Sequence, residues 1–227
     1  MNRQVSAEQR PMTMQLQRLA GYGPLAANVS AGALLAFVLV GQFGTAIIQA
    51  APGMVVPVEI VFVLALWVWI AGLAVVASDL EWRGQPTTSA RRLQVARVAT
   101  LIALVMPVPF VVGLIVNAGV PVQAPSYLLI YGGVGISLLI HNLGARRAGL
   151  LHGLLPWLGI VTGVAYILAG IGFGAILIPG IGMTLYLIGF NVLELGEVVY
   201  IVWAIWLGVK LSRTRAAVPA AVAPAAR

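Results

Sequence analysis

All thirteen Lys and Arg residues of this chain fall in four short segments, and the apolar runs between those segments hold no Lys or Arg. The segments are the N-terminal region (Arg3, Arg10, Arg18), a first loop (Arg83, Arg91, Arg92, Arg97), a second loop (Arg146, Arg147) and the C-terminal region (Lys210, Arg213, Arg215, Arg227). Neighbouring segments are separated by enough apolar sequence to cross a bilayer and return, at about 20 residues per crossing. Basic residues concentrate on the cytoplasmic side, so all four segments belong there. The spacing therefore predicts an all-α integral membrane bundle of six transmembrane helices, with both the N- and C-termini cytoplasmic.

The composition agrees. At 61% hydrophobic and 8% charged, the 227 residues are too apolar to be hidden in one soluble core, so lipid must cover the remainder. A net charge of +7 would suit nucleic acid, but the bases flank membrane spans with no interleaved aromatic platform. They read instead as topology anchors that favour anionic lipid headgroups. The chain has no Cys, which excludes disulfides, thiol nucleophiles and cysteine-ligated metals. Its first 27 residues are polar and precede a full-length span, so no removable signal peptide is expected.

The expected spans are 28–49, 55–78, 94–117, 127–145, 154–178 and 184–211, giving a cytoplasmic segment 1–27, a transmembrane domain 28–211 and a disordered cytoplasmic tail 212–227. Gly84 to Ser89 forms an inner loop and Gly119 to Ser126 an outer one. In the third span Pro107 and Pro109 remove two backbone donors near the midpoint, so regular α-geometry should fail between about Ala103 and Pro109. In the fifth, Gly159, Gly163, Gly170 and Gly174 share one face and should let a neighbouring helix approach closely. An intramolecular crossing is the expected use, with a homodimer face as the alternative.

Ionisable groups inside spans are costly and mark sites worth following. Glu194 should lie near the midplane of the sixth span and Glu197 one turn further in, on a stripe extended by Asn191 and Tyr200 that faces protein or water. Glu59 lies near the outer boundary of the second span and carries less weight. Partners at similar depth are Gln42, Tyr166, Asn142 and above all His141, whose imidazole opposite Glu197 would form a proton-passing pair. These residues, Glu194, Glu197, His141, Asn191, Tyr166 and Gln42, form the candidate ligand or proton pathway. A set of Glu194, Glu197 and His141 is a weak metal pattern, and no metal is expected. The two histidines, His141 and His152, differ in depth, which disfavours a bis-His haem. Lys210, the sole lysine, sits at a helix end and suits snorkelling better than a Schiff base. No Walker, nucleophile-elbow or HExxH pattern occurs. No catalytic residue and no cofactor are expected.

Three stretches resemble the bacterial six-helix membrane family catalogued as domain of unknown function 4386. They are Arg18-Leu-Ala-Gly21 before the first span, Leu154-Leu-Pro-Trp-Leu-Gly159 through Val164-Ala-Tyr-Ile-Leu168 in the fifth, and Gly196-Glu-Val-Val-Tyr200 through Trp206-Leu-Gly-Val-Lys210 in the sixth. The resemblance implies six helices and a glutamate at Glu197, and brings no established activity with it. The expected function is a non-enzymatic binding, transport or accessory role in a bacterial cytoplasmic membrane, using a polar site around Glu194 and Glu197. A structural subunit docked to other membrane proteins is the alternative.

Overall fold

A computed structural model describes residues 21–84, 89–115 and 120–216. The helices are α1 (Gly23–Ala50), α2 (Val55–Gly84), α3 (Ala90–Val105), α4 (Pro107–Ile115), α5 (Val120–Arg147), α6 (Leu155–Gly174) and α7 (Gly182–Ala216), with single 3-10 turns at Pro52–Met54 and Ala175–Leu177. With α3 and α4 counted as one span, six stretches are long and apolar enough to cross a membrane. This is a multi-pass helical bundle of membrane-protein type.

The third span is interrupted at Met106, where α3 gives way to α4. Without an N–H, Pro107 and Pro109 leave the carbonyls of Ala103 and Val105 without their helical donors. Just past the break Phe110 is buried, its ring centre 6.2 Å from that of Phe62 and 5.0 Å from that of Tyr127. Several boundaries differ from those expected: α1 begins at Gly23 rather than 28, α2 runs to Gly84 rather than 78, and α3 begins at Ala90 rather than 94. Helix α5 begins at Val120, so most of the outer loop placed at 119–126 is helical. Pro121 falls in its first turn, where an N–H has no intrahelical acceptor anyway, and Pro125 forgoes one bond. Helix α7 continues to Ala216, so the tail expected from 212 is helical over its first five residues. The N-terminal segment 1–20, the loop residues 85–88 and the tail 217–227 lie outside the described residues, as does residue 117 at the expected end of the third span.

Helix α1 packs against α2 and α7, α7 against α6, α6 against α5, and α5 against α3, with α2 also meeting α5 across the centre. Most outward positions are apolar; Leu195 is 70% exposed and Leu101 60%, as on a surface that faces lipid. The glycine face of α6 is spent inside the bundle. A Cβ on Gly163 would lie 2.8 Å from the Gly135 carbonyl oxygen and 2.9 Å from the Leu139 nitrogen, and one on Gly170 3.0 Å from the Leu128 oxygen. Gly159 abuts the Asn142 side chain and Gly174 that of Leu128, so all four glycines meet α5.

At the centre, Trp69 of α2 meets Tyr131 of α5, Tyr166 of α6 and Tyr200 of α7 at ring separations of 6.1, 5.6 and 5.9 Å. All four are essentially buried. The bundle ends carrying Arg83, Arg97, Arg146 and Lys210 lie together, as an up-and-down chain requires. Here Gly23 of α1 abuts the buried Asp79 carboxylate of α2, which also pairs with Arg83 at 2.8 Å. Arg146 stacks over Trp157, 4.2 Å from the ring centre.

Candidate functional site

Helices α1 and α7 touch closely in the half of the bundle nearer the basic end. There the buried Ser30 and Tyr200 hydroxyls hydrogen-bond, and Gly208 abuts Asn28. In the other half they leave a cleft. Its α1 side is Phe37, Val38, Gly41 and Gln42, and its α7 side Tyr186, Phe190, Leu193, Glu194 and Glu197. Phe62, Tyr127, Tyr131 and Phe173 from α2, α5 and α6 form the back wall. The volume of the cleft is about 180 Å³. That space holds several waters or one small organic molecule, but falls short of the roughly 300 Å³ at which drug-sized pockets begin.

The two glutamates do different things. Glu197 is 6% exposed, lines the cleft, and has no hydrogen-bond or ion-pair partner among the described residues. Glu194 is exposed at the mouth, where its Oε1 accepts a 3.1 Å hydrogen bond from Gln42 Nε2 across the gap between α1 and α7. Asn191 is also exposed and returns its amide to the Leu187 carbonyl at 2.8 Å, so it serves its own helix. The expected single polar stripe is thus wound around α7. At 100° per residue, each three-residue step falls about 60° behind the last, and three steps carry the row from the outer face at Asn191 to the core at Tyr200.

His141 does not face Glu197. It lines a separate cavity of about 210 Å³ nearer the basic end, between α2, α3 and α5. Its Nδ1 donates to the Ser137 carbonyl at 2.7 Å, and the Ser137 hydroxyl accepts from Thr100 at 2.8 Å. The same cavity is lined by Glu81 and Arg97, which form a two-point ion pair; Arg97 Nε donates to Glu81 Oε2 at 3.1 Å and an Nη donates to Oε1. The reason is register. His141 lies ten residues, about 15 Å, beyond Tyr131, the α5 residue that shares the cleft with Glu197.

Asn142 is likewise occupied, accepting from Trp203 Nε1 at 3.1 Å and donating to the Leu138 carbonyl at 2.9 Å. Tyr166 is fully buried in the central aromatic cluster, with no partner for its hydroxyl among the described residues, and it does not line the cleft. Glu59 is exposed near the start of α2, and His152 is exposed in the link between α5 and α6.

No family model, curated protein or solved structure matches the chain.

The site therefore has to be read from its own chemistry. Of the residues expected from sequence, Glu197, Glu194 and Gln42 come together; Asn191, Tyr166 and His141 do not join them. The aromatic wall and the Glu81–Arg97 pair were missed. The pair had a visible signal, since Glu81 ends one span and four arginines follow within sixteen residues. The aromatic wall had none, because Phe62, Tyr127, Tyr131 and Phe173 come from three different helices.

Proposed function

We propose that this is a small, non-enzymatic binding or transport protein of a bacterial cytoplasmic membrane, which admits a ligand to Glu197 through the cleft between α1 and α7. The proposal includes membership of the domain of unknown function 4386 family and a cytoplasmic basic end lying against anionic headgroups. One observation carries it. Glu197 is a buried carboxylate, without a partner, aimed into an aromatic-walled cavity open on one side. A carboxylate kept only for packing would be paired, as that of Glu81 is, or replaced by an apolar side chain, because an intramembrane carboxylate costs about 2.5 kcal/mol or more on the lenient scales.

The test is access. Dicyclohexylcarbodiimide, a membrane-soluble carboxyl reagent, should modify Glu197 in native membranes, as read by peptide mass spectrometry. Gly41 lines the cleft, and a Cβ there meets only Phe62, at 3.7 Å, so Gly41→Leu should fold and fill the opening. That variant should slow modification of Glu197 several-fold. An unreactive Glu197, or equal reactivity in both proteins, would sink the reading.

A further inference from the structure

We infer that the ligand of this cleft is a small organic cation, a quaternary or alkylated ammonium, an assignment that rests on the reading of the cleft as a binding site. Glu197 supplies an unpaired carboxylate at the floor and Glu194 a second at the mouth, while no Lys, Arg or His lines the space. An anion would find no cationic partner there. The remaining surface is largely aromatic and continuous, with Phe173 at 5.3 Å from Tyr127, 5.6 Å from Tyr131 and 5.3 Å from Tyr186, ring centre to ring centre. Aromatic faces carry negative potential and attract a cation held within about 6 Å, most strongly where water is excluded.

The same walls argue against an inorganic ion. Calcium or magnesium needs about six oxygen ligands to replace its hydration shell, and rings cannot provide them. Among the described residues no group of three or more His, Cys, Asp or Glu is placed to hold a metal. An alkylated ammonium has little hydration to replace, so rings and one carboxylate suffice. Size narrows the class further, because about 180 Å³ takes a compact headgroup but not a drug-sized cation. The second cavity, beside Glu81 and Arg97, makes no such demand, since its carboxylate is already paired.

The experiment compares phenyltrimethylammonium with tert-butylbenzene, its uncharged isostere, by calorimetric titration of the full chain in phosphatidylcholine nanodiscs. The ammonium should bind the wild-type protein and lose about tenfold or more in affinity in Glu197→Gln, while the weaker binding of the hydrocarbon stays unchanged. Phe190→Leu, which removes a ring but no charge, should weaken the ammonium several-fold. If Glu197→Gln does not fold, Glu194→Gln at the exposed mouth should give a smaller loss confined to the ammonium. Equal binding of both probes, indifferent to either glutamate, would overturn the cation assignment and leave the binding reading standing. Failure of both probes while carbodiimide still reaches Glu197 would also overturn it. Failure of both with Glu197 unreactive would remove the binding reading as well.

Discussion

Glu81 and Glu197 show how one side chain can have two fates in the same bundle. Both are 6% exposed, yet Glu81 is held by the Arg97 guanidinium and Glu197 faces an open cleft. Removing Arg97 would leave Glu81 buried and unpaired. A fully buried pair broken this way costs about 3–5 kcal/mol, but Arg97 is 48% exposed, so solvent and headgroups would relieve part of it. Arg97→Gln should therefore cost about 1–2 kcal/mol, read as a lower melting temperature in detergent. Adding Glu81→Gln should recover part of the loss, and strictly additive single and double variants would contradict the pairing. Glu197→Gln should instead leave the melting temperature within error, because no partner is stranded.

At the level of elements, the α5–α6 contact is set by absent side chains. Gly135 and Gly163 face one another so closely that a Cβ on Gly135 would stand 2.6 Å from the Gly163 carbonyl oxygen. Backbone cannot step aside as a flexible side chain can. Gly163→Ala should push α5 and α6 apart at a cost of about 1–3 kcal/mol, the usual range for overpacking. Gly132, three residues before Gly135 on α5, has nothing within 4 Å of the point where a methyl group would stand, so Gly132→Ala should be neutral or slightly stabilising through helix propensity. Equal effects at the two sites, measured by thermal unfolding in one detergent, would refute this account. The glycine spacing on α6 was legible in the sequence. Which helix it would meet was not, since a small-residue face fits a second copy as well as a neighbour.

For the whole molecule, the one-sided distribution of Lys and Arg sets the expected orientation. Ser89 and Gly53 are exposed positions on links at opposite ends of the bundle. With Ser89→Cys and Gly53→Cys variants in intact cells, a membrane-impermeant thiol reagent should label the cysteine at 53 and spare that at 89. The reverse pattern would invert the bundle and place the mouth of the cleft, which lies in the half away from the basic residues, nearer the cytoplasm. Because the chain has no native Cys, no background labelling complicates the comparison.

Span number, the interruption at Pro107 and the cost of Glu197 all came from the sequence, because each depends on local properties: the length of an apolar run, a missing N–H, a charge in hydrocarbon. Depth was partly legible too. The expected pairing set His141 opposite Glu197, yet His141 precedes Arg147 by six residues and Glu197 precedes Lys210 by thirteen, a mismatch of about 10 Å, and the two line separate cavities. Azimuth was not. Whether Asn191 or Tyr200 faces lipid, and whether the rings of α2, α5 and α6 converge on the α7 carboxylate, depends on how each helix is rotated about its axis. In a soluble protein the hydrophobic pattern fixes that rotation. Here lipid and core are equally apolar, so outward Leu195 and inward Leu193 look alike in the sequence, and only the packing of helix against helix tells them apart.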